Sequence, residues 1–196
     1  MDQKMRLEEQ MSFLLEMDKS KNIMRQTYLA NGERRENDAE HSWHLAIMCL
    51  LLGEYANENI DLLKTVTMVL FHDVIEIDAG DTYAYDTEGN KTKAERENIA
   101  AKRLYGMLPK DQGEKLTALW EEFEKGETPE AKFARTLDRV QPLMLNNASG
   151  GRSWEEHKIT KEQVYQRNQL THLGSEVLWE YAKALIEQNA EEGKLL

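Results

Sequence analysis

The chain has 196 residues, 40% of them hydrophobic and 31% charged, which is enough apolar material for a sizeable core and points to one domain over 1–196. Twenty-five Lys and Arg stand against 36 Asp and Glu, and the net charge of −11 argues against a nucleic acid polymer as partner. No run approaches the ~18 apolar residues of a membrane span, the acidic amphipathic stretch from Met1 to Met17 does not read as a signal peptide, and Cys49 has no partner for a disulfide, so no membrane is expected and the cytoplasm is the expected compartment.

Apolar spacing is helical almost throughout, and no alternating run bounded by turn residues marks a strand. Met11, Leu14 and Leu15 mark a first helix, and a short one is expected over Lys19 to Leu29 before Asn31-Gly32 breaks the chain. The next helix starts with Asn37 as cap and Glu40 three residues on, a capping-box pair, and runs through His41, His44, Leu45, Met48, Leu52 and Tyr55. Asn59 or Asp61 opens another, with Leu62, Leu63, Val66, Val69 and Leu70 facing inward up to His72, and Ala79-Gly80-Asp81 ends it. A polar loop runs from Thr82 to about Thr92, and helices follow over about 92–107, 112–125 and 129–147. Pro129 suits a first helical position after Thr128, whereas Pro142 implies a kink or an early stop. Gly150-Gly151 marks a loop, and a last helix is expected over about 171–190. The expected fold is all-α, a compact bundle of about six to eight helices with a core over about 20–147 and a C-terminal helical extension over about 150–196. Amphipathic helices at both ends leave apolar faces to bury, so a homodimer is expected.

The most informative residues are His72 and Asp73, adjacent in the apolar stretch Leu70-Phe71-His72-Asp73-Val74-Ile75. Both are costly to bury without compensation, and a divalent metal supplies it. His41 lies near the start of one helix and His72-Asp73 near the end of the next; consecutive antiparallel helices bring those ends together. Asp138, in a helix otherwise rich in core residues, is the candidate fourth ligand. Two imidazoles and two carboxylates make a borderline site for one divalent ion, suited to Mn, Co, Fe, Ni or Zn and less to Mg. Glu76, four residues after His72 and three after Asp73, shares their helix face one turn away, where a carboxylate can take the proton of an attacking water.

The full pattern resembles the HD-domain metal-dependent phosphohydrolases. The segment Arg35-Glu36-Asn37-Asp38-Ala39-Glu40-His41-Ser42 is similar, from Glu36 on, to the E-N-x-x-E-H-S stretch of the 5′-deoxynucleotidase branch. His72-Asp73-Val74-Ile75-Glu76 followed by Gly80-Asp81 resembles its H-D-x-x-E-x-x-x-G-D, and Leu137-Asp138 matches the distal acid. The resemblance covers roughly residues 20–145. It implies an HD-domain helical fold and hydrolysis of (deoxy)ribonucleoside 5′-monophosphates to nucleoside and phosphate. It further implies His41, His72, Asp73 and Asp138 as metal ligands, Glu76 and Asp81 as catalytic carboxylates, and Arg25 as the arginine that grips the phosphate. In part of that family an aromatic residue after this arginine crowds the sugar 2′ position; here Gln26 stands there, so ribonucleotides stay among the expected substrates. Arg35 and Lys93 are the further candidates for substrate contact. Residues 74–137 contain no histidine, which argues against the two-metal members of the superfamily. The competing expectations are an HD-type hydrolase of dNTP or ppGpp, and a non-catalytic nucleotide-binding regulator.

Overall fold

Seven helices of ten or more residues carry the fold in the computed structural model, which describes residues 2–196. They are α1 (Gln3–Met17), α2 (Asp38–Leu52), α3 (Leu62–Phe71), α5 (Gly89–Tyr105), α6 (Lys110–Lys125), α7 (Pro129–Ala148) and α10 (Glu176–Glu191). Shorter helices α4 (Glu76–Ala79), α8 (Arg152–His157) and α9 (Lys161–Asn168) fill the connections. No helix among the described residues is long and apolar enough to cross a membrane.

The long helix α7 is the axis of the packing. On one side its Phe133, Ala134, Leu137 and Val140 meet Leu45 and Cys49 of α2, Met68 and Val69 of α3, and Phe123 of α6. Its other end sends Leu143 into a cluster with Trp154 of α8, Val164 of α9 and Ile186 of α10, which docks the C-terminal helices. A further cluster, with Phe13, Ile75, Leu104, Tyr105 and Trp120, joins α1, α5 and α6 to the turn after α3. Each fully buried Leu, Ile or Phe contributes about 1.5–3 kcal/mol relative to exposure, so these clusters set the helix positions.

Four expectations from the sequence are corrected. The segment expected as a helix over Lys19 to Leu29 is a short helical turn at Asp18–Asn22 followed by strand β1 (Met24–Tyr28). Strand β1 pairs antiparallel with β2 (Arg35–Asn37), Met24 opposite Asn37 and Tyr28 opposite Arg35, with an irregularity between. The strands escape pattern reading because they are short and depend on each other's ladder rather than on intrinsic preference. The helix expected to include His72-Asp73 ends at Phe71; residues 72–75 form turns, and α4 starts at Glu76. Helix α7 does not stop at Pro142 but continues to Ala148, because packing on both sides outweighs one missing ladder bond. The C-terminal segment holds α8, α9 and α10 rather than a loop and one helix.

Candidate metal centre and its cleft

Each metal-ligand candidate is held by a local feature. At the start of α2 the Glu40 amide donates to Asn37 Oδ1 (2.9 Å) and the Asn37 amide donates to Glu40 Oε2 (3.2 Å). This capping box fixes the first turn, so His41 points from it into the interior. His72 caps the end of α3, where its Nδ1 donates to the Val69 carbonyl at 2.8 Å. Asp138 comes from the middle of α7.

These three elements bring four donor atoms together. His41 Nε2 lies 3.2 Å from Asp138 Oδ1 and 3.7 Å from Asp73 Oδ2. His72 Nε2 lies 3.1 Å from Asp73 Oδ2 and 3.8 Å from Asp138 Oδ1. Neighbouring donors about 2.1 Å from one ion stand roughly 3.0 Å apart in an octahedral site and roughly 3.4 Å apart in a tetrahedral one; the 3.1 and 3.2 Å edges of this ring fall between those values and the 3.7 and 3.8 Å edges are wider. The tautomers agree. His41 Nδ1 donates to Gln141 Oε1 (3.0 Å), whose amide in turn donates to Glu36 Oε2 (2.9 Å). With both Nδ1 atoms engaged as donors, both Nε2 lone pairs face the ring, and the buried His72 Nε2 has no hydrogen-bond partner. The donor set fits a divalent metal. Without one, burial works against the imidazolium of His72, but Asp73 and Asp138 more than offset it and raise its pKa well above the usual range. Asp138 is held well below the ordinary carboxylate range: burial opposes this, but the imidazoles of His41 and His72 beside it prevail.

A cleft opens over the ring. Arg25, Gln26, Asp73, Glu76, Asp81, Lys93 and Asp138 all line it. Arg25, on β1, donates from Nη1 to Asp73 Oδ2 at 2.8 Å. Glu76 is 4% exposed and its Oε2 has no partner; burial first, then Asp73, Asp81 and Asp38, lift its pKa well above the carboxylate norm. Asp81 follows Gly80, whose φ of +74° and ψ of 148° suit glycine and turn the chain back towards the cleft. Lys93 lies 3.4 Å from Glu97.

Arg35 is not among the residues that line the cleft. Its guanidinium pairs with Glu156 (3.3 Å) and lies over the Tyr28 ring. Side chains alternate along a strand, so on β2 it is Glu36 that turns inward and Arg35 that turns away.

Sequence reasoning missed five residues. Asp38 is 2% exposed, both its carboxylate oxygens lack partners, and burial together with Asp73 pushes its pKa up to about 8. It stands 3.8 Å from Arg25 Nη1, and Glu36 stands 3.5 Å from Arg25 Nε, so both flank that guanidinium. Gln141 orients His41; its spacing of three from Asp138 on a helix was the available signal. Arg139 and Arg167 line the cleft from α7 and α9, the latter 3.5 Å from Asp138 Oδ2.

Known proteins with related sequences share this frame. The bovine (Bos taurus) 5′-deoxynucleotidase HDDC2 is 32% identical over 114 residues, 58% of this chain and 54% of that protein. The chain thus spans about half the length of that relative. The 5′-deoxynucleotidase hdd1 of Schizosaccharomyces pombe is 25% identical over 136 residues, 67% of each chain. A crystal structure of a predicted metal-dependent phosphohydrolase from Magnetospirillum magnetotacticum MS-1 superimposes with a TM-score of 0.93 at 47% identity, covering 97% of this chain and 95% of that one. A conserved hypothetical protein from Pyrococcus furiosus superimposes at 0.59 with 25% identity, covering 88% and 99%. The HD domain pattern itself matches residues 17–179, from the last residue of α1 into α10, and therefore takes in every element that delivers a side chain to the ring. The chain belongs to the HD domain family.

Proposed function

We propose that the protein is a metal-dependent phosphomonoesterase acting on nucleoside 5′-monophosphates, with Arg25, Gln26 and Lys93 contacting substrate. The observation that carries this reading is the ring of four donor atoms at the floor of a cleft that also holds a buried acid, Glu76, and a partly buried arginine, Arg25. Relatives bearing the name 5′-deoxynucleotidase support the choice of substrate.

His41, His72, Asp73 and Asp138 would hold one divalent ion, which supplies Lewis acidity towards a phosphate oxygen. The remaining steps belong to the chain's own groups. Arg25, braced by Glu36, Asp38 and Asp73, offsets charge growing on the phosphate oxygens during in-line attack. Glu76 takes the proton of the attacking water at its unpartnered Oε2. Asp81 lines the same cleft and passes a proton to the departing 5′ oxygen. Lys93, one turn into α5, adds positive charge at the rim.

The direct test is phosphate release from a panel of dNMPs, NMPs, dNTPs and ppGpp with Mn²⁺ or Co²⁺, repeated with EDTA. Release from monophosphates, abolished by EDTA, is expected. Exclusive use of dNTP or ppGpp would move the assignment to another nucleotide, and no release from any substrate would refute the enzyme reading.

The proposed assembly is a homodimer. On α2, Trp43, Ile47, Leu50 and Leu51 form an exposed stripe at helical spacing, with Trp43 63% and Leu51 68% exposed. Sedimentation velocity should give a dimer that Leu51→Glu converts to monomer; a wild type that sediments as a monomer refutes it.

A further inference from the structure

The α7 and α9 side of the cleft, beside Asp138, carries positive charge that the reaction described above does not use. Arg139 is 7% exposed, its Nε has no partner, and its Nη1 donates only to the Arg135 carbonyl, at 2.8 Å. It forms no ion pair among the described residues, in contrast to Arg25, which has Glu36, Asp38 and Asp73 around it. A buried guanidinium without a direct ion pair is costly, and an anion bound in the cleft would compensate it. Arg167 reaches the cleft from α9, where its one ionic contact among the described residues is the 3.5 Å approach to Asp138 Oδ2. The two guanidinium groups repel each other, and the carboxylate whose charge acts on Arg139, Asp138, is the one that Arg167 approaches and that belongs to the ring.

We infer that Arg139 and Arg167 form an anion subsite on the α7–α9 wall of the cleft, which takes a phosphate group of the substrate. The planar fork of arginine matches phosphate oxygens in pairs, which lysine cannot do. The subsite lies beside Asp138, within the cleft that Arg25 enters from β1. It gives the C-terminal segment a part in binding, since Arg167 belongs to α9. The inference rests on the proposed reaction only for the choice of phosphate as the anion.

The test titrates inorganic phosphate into the full-length Mn²⁺-loaded protein by calorimetry, for wild type, Arg139→Gln and Arg167→Gln. The expected result is a phosphate Kd at least fivefold weaker in each variant with metal content unchanged. Arg167 is exposed enough to replace without disturbing the core, so Arg167→Gln carries the test if Arg139→Gln fails to fold. An unchanged Kd in Arg167→Gln overturns the inference. So does a joint loss of phosphate affinity and bound metal, which would reduce Arg167 to a support for Asp138. Kinetics then identify the phosphate. An equal rise in KM for a 5′-monophosphate and a 3′,5′-bisphosphate assigns the subsite to the scissile group; a rise for the bisphosphate alone assigns it to a second phosphate. Arginine-dependent phosphate binding without hydrolysis of any nucleotide would overturn the proposed reaction and leave the subsite standing.

Discussion

Glu76 is the proton acceptor of the proposed reaction. It is enclosed, one of its oxygens is unpartnered, and burial, then the three acids near it, raise its pKa, which makes its ionised form a stronger proton acceptor. Glu76→Gln keeps the shape and removes the proton acceptor, so kcat should fall by roughly 10²–10⁴. Metal content by elemental analysis should not change, because the four ring donors are untouched; undiminished kcat would refute the role. Convergence of His41, His72, Asp73 and Asp138 was legible in the sequence, because the ends of consecutive helices meet and the spacing of the motifs says which ends. Asp38 was not. An acid in the first turn of a helix reads as a partner for the helix dipole, and only the arrival of Arg25 from a strand reveals another use. Arg139 was hidden for the opposite reason, since a basic residue beside Asp138 reads as its ion-pair partner, and the structure leaves it unpaired.

At the scale of elements, the start of α2 couples folding to the site. The capping box satisfies two otherwise orphaned amides and fixes the turn that ends in His41. Asn37→Ala removes the acceptor of the Glu40 amide and should cost about 1 kcal/mol, read as a lower urea midpoint with unchanged slope. A variant as stable as wild type would show that the β1–β2 ladder alone sets the turn. This cap was readable because both its residues are local in sequence. The hairpin beside it was not, since Met24–Tyr28 and Arg35–Asn37 pair across an intervening loop and hold no strong pattern of their own. Asn31-Gly32 was the surviving signal: Gly32, at φ +71°, donates its amide to the Leu29 carbonyl at 2.8 Å and turns the chain between the strands. The break at the end of α3 was equally concealed, because the apolar spacing continues through Val74 and Ile75 while the backbone changes from helix to turns.

For the whole molecule, the ring joins elements that are distant in sequence. His41 comes from α2, His72 and Asp73 from the end of α3, and Asp138 from α7. An ion bound there holds together helices whose apolar faces already share one core, so its binding free energy adds to the stability of the folded state. Removing it leaves the ring polar and enclosed, but not ruined: His72, raised well above its ordinary pKa, pairs as a cation with Asp73 at 3.1 Å. The metal-free protein should therefore remain folded and lose only the linkage term. At free metal a thousandfold above Kd that term is about 4 kcal/mol, and at about 2–4 °C per kcal/mol for a chain of this size EDTA should lower Tm by roughly 8–16 °C. His72→Ala deletes one donor, so its Tm should be lower from the outset and nearly indifferent to EDTA. Calorimetry of the two proteins, each with Mn²⁺ and with EDTA, reads both effects. An equal response to EDTA in wild type and His72→Ala would place the ion outside this ring.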